Sequence, residues 1–221
     1  LVREGEDAPA PCTVRVCNSL SCMMAGGETL LAELQAFASD KVRFVGAPCI
    51  GACDKAPAAA VGHQLVAHAD RDTLSAVTED GHVDVPATAR LFDEYCADGG
   101  YATLRRLLSG ALSAEDALTT LEATALRGLG GAGFPTGRKW RIVSGQPGPR
   151  LMAVNGDEGE PGTFKDRLYL GTDPHRMVEG ILIAAHVVGI ETCYIYMRDE
   201  YPEIIALLRQ ELDKVRAAGL A

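Results

Sequence analysis

The sequence CTVRVCNSLSC (residues 12–22) decides how the chain begins to fold, because a short strand ends at one cysteine and a second cysteine follows after four residues. The stretch VRFVGAPCIGAC (residues 42–53) repeats this pattern with a second strand, followed by Cys49 and Cys53. We expect the two cysteine pairs, on separate loops, to lie at the same edge of a small sheet. Four thiolates placed in this way can hold a metal centre.

The spacing of these cysteines limits the kind of centre. A plant-type ferredoxin needs a further cysteine three residues after Cys22, where the chain has Ala25. A bacterial 4Fe–4S ferredoxin needs three cysteines within seven residues, and the chain has no such run. Closely spaced cysteine pairs also occur in structural zinc sites, so a zinc-stabilised interaction domain stays open. We favour a 2Fe–2S cluster in which each pair binds one iron, with the ligands Cys17, Cys22, Cys49 and Cys53.

Hydrophobic periodicity predicts the elements around the cysteines. The predicted elements are a strand over 13–16, a helix over 28–39, a strand over 42–45, a hairpin of 58–61 with 64–67, and a short helix over 71–77. This β-α-β-β-β-α order is that of a thioredoxin-like fold. We therefore predict a thioredoxin-like 2Fe–2S ferredoxin domain over residues 1–80.

The composition excludes several classes of protein. The chain has 221 residues and a net charge of −9 without a basic stripe, which argues against nucleic acid as a partner. No apolar stretch approaches the ~20 residues of a transmembrane helix, and the first ten residues do not form a secretion signal. Seven cysteines fit poorly with a complete set of disulfides. We expect a cytoplasmic protein, in which cysteine clusters more often hold metals.

The rest of the chain predicts an α/β domain preceded by helices. Helices are predicted over 87–96, 101–108, 113–126, 175–188 and 200–217, and strands over 151–154 and 193–197. Alternating strands and helices favour an α/β sheet with its ligands at a loop edge. We predict a helical connector over 81–126 and the first part of an FMN/NADH-binding, Rossmann-like domain over 127–221.

The glycine-rich stretch RGLGGAGFPTGRKW (residues 127–140) is a candidate binding loop. Its glycines leave the backbone free to approach a ligand, and exposed N–H groups could cradle phosphate beside Lys139; the candidates are Gly128, Gly130, Gly131 and Gly133. The stretch matches neither the P-loop nor the usual dinucleotide fingerprint. A tight solvent-exposed loop is the alternative.

A second candidate cluster follows the predicted strand over 151–154. It consists of Asn155, Asp157, Glu158 and Glu160. Three carboxylates within four residues repel one another unless something occupies the site, and these groups could accept hydrogen bonds from ribityl or ribose hydroxyls. A solvated acidic loop is the alternative, but the position after a buried strand favours a binding site.

The stretches 127–140 and VNGDEGEPGTFKDR (residues 154–167) together resemble the NADH-binding flavoprotein subunit of respiratory complex I. The same module occurs in the diaphorase subunit of NAD-reducing hydrogenases and the β subunit of NAD-dependent formate dehydrogenases. Residues 12–78 resemble the thioredoxin-like 2Fe–2S ferredoxin that partners this flavoprotein. The fusion of both modules in one chain most resembles the formate dehydrogenase β subunit, and next the hydrogenase diaphorase.

The resemblance implies FMN, NAD and a 2Fe–2S cluster as cofactors. It assigns FMN contacts to Gly128, Gly130, Lys139, Asn155, Asp157 and Glu158. Phe134 would stack on NADH, and Glu160 would lie near the nicotinamide. The implied reaction is hydride transfer between nicotinamide and flavin, followed by single-electron transfer to iron–sulfur clusters. No side chain is expected to act as a general acid or base, and Glu160 is the best candidate for positioning the nicotinamide.

The resemblance covers only the first part of that flavoprotein subunit. We expect the chain to be a fragment, with a 4Fe–4S cluster only in the part that would follow it. The implied partners are iron–sulfur subunits and formate- or hydrogen-oxidising subunits of a multisubunit redox complex. The alternative from another class is a non-catalytic electron-carrier or docking fragment that keeps the ferredoxin domain without binding flavin.

Overall fold

The computed structural model describes residues 10–62, 64–75, 89–129 and 131–221. The chain consists of two compact units. The first unit contains the described residues up to 75, together with 156–171 and 197–207. The second unit contains residues from 89 to 155, 172–196 and 208–221. The predicted boundaries at residues 80 and 126 stay a prediction, and residue 80 lies outside the described residues.

A four-stranded sheet forms the centre of the first unit. Its strands are β1 (Cys12–Cys17), β2 (Val42–Ala47), β3 (Ala59–Val61) and β4 (Gln64–Val66), in the order β2-β1-β3-β4. β1 is parallel to β2 and antiparallel to β3, which is antiparallel to β4. Cys17 pairs with Ala47 at the ends of β1 and β2, so the segments that follow both strands start at the same edge. This is the placement expected for the two cysteine pairs.

The helices of the first unit differ in two places from the prediction. Short helices α1 (Leu20–Met24) and α2 (Gly27–Leu34) follow β1, so Cys22 lies in a helix and not on a loop. The predicted helix over 28–39 ends at Leu34 and continues as the 3-10 helix Gln35–Phe37. The Ser39 hydroxyl accepts the backbone N–H groups of residues 41 and 42, which directs the chain into β2 instead of a longer helix.

Two apolar clusters pack in the first unit. The larger cluster joins the sheet to helices α2 and α3 (Arg71–Ser75) and includes Val14, Val16, Leu30, Leu34, Phe44, Val61 and Leu74. The smaller cluster surrounds the cysteines and consists of Cys17, Cys22, Ala47, Ile50, Ala52, Ala58 and Ala60. Cys17 and Cys22 are therefore surrounded by apolar side chains.

The second unit is mainly helical. Its elements in chain order include α4 (Phe92–Ala97), α5 (Ala102–Leu108), α6 (Ala114–Ala123), α7 (Thr136–Ser144) and α9 (Pro174–Val188). Strands β5 (Leu151–Gly156) and β6 (Thr192–Met197) form a two-stranded sheet. Of the remaining helices, α8 (Lys165–Thr172) belongs to the first unit except for Thr172, and α10 (Pro202–Ala217) contributes residues up to 207 to the first unit and the rest to the second. None of the helices in the described part of the chain is long and apolar enough to span a membrane.

Several predictions for this half hold, and two helices were missed. The helix predicted over 113–126 is present as α6, and Ser113 caps its start, because the Ser113 hydroxyl accepts the backbone N–H of Asp116 at 3.0 Å. The predicted helix over 87–96 begins only at Phe92, and residues 87 and 88 lie outside the described residues. α7 and α8 were not predicted. The glycine-rich stretch therefore becomes helical from Thr136 onward, and Lys139 is a helical residue.

Gly137 sets the distance between α7 and α6. A Cβ added there would lie 2.7 Å from Glu122 Cγ and 2.8 Å from the Glu122 nitrogen. We expect Gly137→Ala to destabilise the second unit by about 2 kcal/mol, because the backbone of α6 must move. Trp140, the one tryptophan of the chain, belongs to this unit, so its fluorescence during urea unfolding reports the change.

Gly180 in α9 provides the matched control, because a Cβ there would have nothing within 4 Å. Gly180→Ala should stabilise the same unit by about 0.5–1 kcal/mol, since alanine restricts the unfolded chain and favours a helix. Destabilisation of similar size in both variants would contradict the packing argument for Gly137.

Candidate functional site

The four predicted ligands lie in two pairs in the first unit. Cys17 ends β1, Cys22 lies in α1, and Cys49 and Cys53 follow β2. Cys17, Cys22 and Cys49 are buried, and Cys53 is half-buried. The Sγ atoms of Cys49 and Cys53 are 3.4 Å apart. The thiols of Cys17 and Cys22 are hydrogen-bonded to each other.

The two pairs influence each other electrostatically. Burial raises the pKa of the Cys22 thiol to about 12, and its hydrogen bond to Cys17 and the charges of Cys17 and Cys53 add to the rise. Burial also raises the pKa of Cys49, together with Cys53 and the charge of Cys17. The charge of each cysteine pair therefore raises the pKa of a thiol in the other pair. Four thiolates in this position need a compensating positive charge, which a metal centre supplies.

Backbone N–H groups point at three of the four sulfur atoms. Ala58 and Gly51 donate to the sulfur atoms of Cys22 and Cys49, and each of these hydrogen bonds lowers the pKa of its thiol. The N–H of Gly162 donates to Cys53 Sγ at 3.1 Å. Hydrogen bonds of this kind stabilise negative charge on sulfur and tune the potential of iron–sulfur clusters.

The donor set fits a two-iron cluster. Among the described residues, no group of three or more His, Cys, Asp or Glu side chains forms a ready-made metal-ligand set. The described thiols instead form two neighbouring pairs. Soft thiolate ligands in two pairs, with one pair for each metal ion, match a 2Fe–2S cluster.

Gly51 holds the cysteine loop against Tyr201. Gly51 has φ +75°, and a Cβ there would lie 2.0 Å from Tyr201 Oη. We expect Gly51→Ala to destabilise the first unit by about 3 kcal/mol, from the left-handed backbone and the clash with a fully buried ring together. Cluster content after reconstitution should fall about tenfold, because Cys49 and Cys53 lie on either side of the displaced residue.

The matched control is Gly26, which also has a positive φ (+91°) but has nothing within 4 Å of an added Cβ. Gly26→Ala should cost only the backbone term, about 1 kcal/mol, and should keep most of the cluster. Iron and sulfide analysis of both variants separates the two effects. Equal cluster loss in both would mean that contact with Tyr201 is unimportant.

The acidic motif, which consists of Asn155, Asp157, Glu158 and Glu160, lies partly inside the protein. Glu158 is buried with φ 43°, Asp157 is half-buried, and Asn155 and Glu160 are exposed. The Glu158 carboxylate accepts the backbone N–H groups of Asp166 and Arg167 at 2.8 and 3.1 Å, which caps the start of α8. Its carboxylate is thus directed at protein partners, and its predicted contact with FMN stays a prediction.

Arg167 links α8 to the cysteine loop within the first unit. Its Nε donates to the Gly51 carbonyl at 2.9 Å, and its Nη2 donates to Asp54 Oδ1 at 2.6 Å. The start of α8 is therefore hydrogen-bonded to both segments. Its backbone N–H groups donate to Glu158 of the acidic motif, and the Arg167 side chain donates to the loop that contains Cys49 and Cys53.

Arg198 and Tyr201 complete this connection. The Arg198 guanidinium donates to the carbonyl oxygen of Cys49 and, at 2.9 Å, to the carbonyl oxygen of Glu158. The Tyr201 hydroxyl donates to Glu158 Oε2 at 3.2 Å. The sequence prediction missed Arg167, Arg198 and Tyr201. A charged residue directly after the apolar strand over 193–197 was the signal that could have indicated Arg198.

The glycine-rich loop lies in the second unit. An isolated bridge between Arg127 and Pro135 closes its base, and the N–H of Gly128 donates to the Phe134 carbonyl at 3.0 Å. Gly131 and Gly133 have φ +52° and +55°, values that favour glycine. Gly130 lies outside the described residues. At two positions of this loop, the backbone conformation therefore explains why the residue is glycine.

The side chains around this loop include an exposed aromatic ring. Phe134 is 44% exposed, as a ring that stacks on a nucleotide must be, and the Arg138 guanidinium lies 5.9 Å from its centroid. Its predicted role toward NADH stays a prediction.

Lys139 lines a cavity of about 500 Å³ in the second unit. Its walls are residues of α7, β5 and α9, including Trp140, Val143, Leu151, Val154, Met177 and Ile181. A cavity of this size is typical of cofactor sites. The cavity thus brings Lys139 close to β5, the strand that contains Asn155. The other predicted carboxylates, Asp157, Glu158 and Glu160, belong to the first unit.

Models of two protein families match the chain. Residues 6–82 match the thioredoxin-like [2Fe-2S] ferredoxin family, and residues 121–220 match the Nuo51 FMN-binding domain. The predicted fold class is thereby confirmed. The predicted cofactor set is confirmed at the level of family, since the two families are those of a [2Fe-2S] ferredoxin and of an FMN-binding domain of NADH-oxidising subunits.

Curated relatives match part of the chain. The NADH-quinone oxidoreductase of Aquifex aeolicus has a subunit that is 45% identical over 127 residues, which are 58% of this chain and 29% of that protein. The 51 kDa subunit of mitochondrial NADH-ubiquinone oxidoreductase in Neurospora crassa is 43% identical over 105 residues, which are 45% of this chain and 21% of that protein. The chain thus spans less than a third of either relative.

A solved structure covers nearly the whole chain. One chain of the NAD⁺-reducing [NiFe]-hydrogenase in its H₂-reduced state superimposes with a TM-score of 0.79 at 26% identity. The match covers 96% of this chain and 41% of that one. Sequence motifs, cysteine geometry, family models and structural similarity lead to one conclusion: the chain has a thioredoxin-like [2Fe-2S] domain, matched over residues 6–82, followed by a Nuo51 FMN-binding domain, matched over residues 121–220.

Proposed function

We propose that the chain is the electron-entry part of an NADH:acceptor oxidoreductase, a diaphorase module with FMN and a [2Fe-2S] cluster. The observation that carries the proposal is the arrangement of four thiols in two neighbouring pairs. The backbone N–H of Gly162, two residues after Glu160, donates to one of these thiols, Cys53. When bound, FMN would accept a hydride from NADH and release its two electrons singly, and the cluster would carry one electron at a time.

The residues of the chain would hold and orient these cofactors. Cys17 and Cys22 would bind one iron, and Cys49 and Cys53 the other. Gly128, Gly130, Lys139, Asn155, Asp157 and Glu158 would contact FMN, and Gly131 and Gly133 would belong to the same cofactor-binding loop. Phe134 would stack on NADH, and Glu160 would lie near its nicotinamide. The cavity that Lys139 and β5 line supports a bound cofactor on that side of the second unit.

The complex to which the module belongs is a finer question. Fusion of both domains in one chain favoured the β subunit of an NAD-dependent formate dehydrogenase. The NAD⁺-reducing hydrogenase also has one chain that covers 96% of this sequence, so fusion does not separate formate from hydrogen as the electron source. We propose iron–sulfur and formate- or hydrogen-oxidising subunits as partners, and a cytoplasmic location as expected from the sequence. A complex I-type NADH dehydrogenase is the further alternative.

The test of this function is an anaerobic titration with NADH. The chain is reconstituted with iron, sulfide and FMN, and NADH is added while absorption near ~450 nm is followed. We expect the first additions of NADH to remove the flavin absorption. Further NADH should then reduce a soluble one-electron dye that is present in excess. A chain that assembles the cluster but retains no FMN would be the electron-carrier or docking fragment instead.

A further inference from the structure

Arg198 occupies a fixed position between the cysteine loop and the acidic motif of the first unit. Its side chain is 8% exposed, and all three guanidinium nitrogens donate hydrogen bonds. Two of them donate to the carbonyl oxygens of Cys49 and Glu158, and Nε donates to Glu200 Oε2 at 3.2 Å. The cation therefore lies beside the backbone of a proposed cluster ligand, where it cannot move without breaking these bonds.

Glu200 supplies the counter-charge. Burial works to lower the pKa of Arg198, but the hydrogen bond and charge of Glu200, with the charges of Tyr201 and Cys49, raise it on balance. Burial works to raise the pKa of Glu200, but its hydrogen bond to Arg198 lowers it on balance. Arg198 and Glu200 thus form an ion pair, and the same guanidinium donates to the backbone carbonyl of Cys49.

Other charged groups near the loop also have partners of opposite charge or hydrogen-bond donors. Arg167 lies 2.6 Å from Asp54, and the Glu158 carboxylate accepts two backbone N–H groups and the Tyr201 hydroxyl. Lys165 is 61% exposed and lies 2.7 Å from Asp166. Arg15 lies 3.8 Å from the exposed Asp199. Arg198 is the most buried of these cations, so solvent and salt screen its charge least.

Reduction of a [2Fe-2S] cluster adds one electron and forms or breaks no bond to the protein. A buried positive charge stabilises the reduced form, and a buried negative charge stabilises the oxidised form. The charge and hydrogen bonding around such a cluster set its potential. Arg198 and Glu200 should therefore act in opposite directions, although they contact each other.

We propose that Arg198 is a positioning residue that raises the reduction potential of the cluster, and that Glu200 restrains this increase. Through the Glu158 carbonyl, the same guanidinium ties the cluster loop to the segment that would contact flavin. The proposal rests on the proposed function, because it requires the cluster.

The test is a redox titration of the full chain carrying its reconstituted cluster. Dithionite serves as the reductant with soluble mediators, and the reduced cluster is followed by electron paramagnetic resonance. Arg198→Met should lower the ratio of reduced to oxidised cluster about tenfold at a fixed potential, which is about 59 mV for a one-electron couple. Arg198→Lys keeps the charge and should restore most of the wild-type potential. Glu200→Gln should raise the potential.

The opposite signs separate an electrostatic role from a structural one. A general loosening of the loop would shift Arg198→Met and Glu200→Gln in the same direction, and that result would overturn the proposal. Arg71→Met is the control, because Arg71 is 57% exposed and pairs with Asp72, and it should leave the potential unchanged. If Arg198→Met does not assemble a cluster, Glu200→Gln and Arg198→Lys decide the question. A wild-type chain without a [2Fe-2S] signal would overturn the proposed function itself.

Discussion

Replacing Cys49 by serine is expected to abolish the [2Fe-2S] signal of the reconstituted chain. Cys49 is buried, its sulfur lies 3.4 Å from Cys53, and the backbone N–H of Gly51 donates to it. A serine hydroxyl is a harder ligand with a much higher pKa than a thiol, so one iron would lose a ligand. We expect the visible absorption of the cluster to fall to background, while FMN content stays at the wild-type level.

Cys193→Ser is the matched control for this change. Cys193 is a half-buried cysteine of β6, and burial raises the pKa of its thiol. It belongs to the second unit, so its replacement should leave both cofactors in place. Retention of the full cluster by Cys49→Ser would contradict the ligand assignment, and loss of FMN together with the cluster would show that the two sites depend on each other.

The second large effect is expected at Glu211, the most buried carboxylate of the second unit. Its side chain is 1% exposed. Its Oε2 accepts the backbone N–H of Phe92 and the Nε2–H of His175, both at 2.8 Å, and Lys214 lies 2.8 Å from Oε1. The Tyr101 hydroxyl in turn contacts His175 Nδ1 at 2.7 Å. Glu211→Ala leaves these donors unpaired and should destabilise the unit by about 3–5 kcal/mol.

Urea unfolding followed by Trp140 fluorescence measures this loss. Asp213→Asn provides the control, because Asp213 is 76% exposed and pairs only with Arg216 at 3.0 Å, and its change should stay within about 0.5 kcal/mol. If Glu211→Ala unfolds at the wild-type urea concentration, the buried network contributes no net stability.

The same carboxylate predicts a dependence of stability on pH. Burial works to raise the pKa of Glu211, but hydrogen bonds from Lys214, His175 and the Phe92 N–H lower it on balance. A carboxylate with a lowered folded-state pKa contributes stability above its unfolded pKa and loses it as the pH falls through the folded value. The free-energy difference between wild type and Glu211→Gln should therefore shrink as the pH is lowered below 4.5.

The elements around the cysteines were predictable because their signals are local. An apolar strand that ends at a cysteine is recognisable from a few residues, and β1, β2, β5 and β6 all contain the predicted strands. The N-cap of α6 was visible in Ser113 for the same reason. The four thiols share a small region because two parallel strands end at one edge, as the sequence pattern indicated.

The missed features depend on contacts distant in sequence. α8 starts where the buried carboxylate of Glu158 accepts two N–H groups, and no periodicity shows this. In α10, Glu211 is more buried than its apolar neighbour Leu212, because it accepts hydrogen bonds from His175 and the Phe92 N–H. Arg198 contacts a cysteine loop 149 residues away. Local hydrophobicity therefore predicted the elements, whereas the charged groups that join them required the structure.

We expect the four cysteines to hold two irons rather than one zinc ion. The most direct test is metal and acid-labile sulfide analysis of the anaerobically purified chain, combined with its visible spectrum. We predict about two irons and two sulfides per chain, with broad visible absorption that weakens on reduction. A colourless protein with one zinc ion per chain and no sulfide would show that the four cysteines do not hold a [2Fe-2S] cluster.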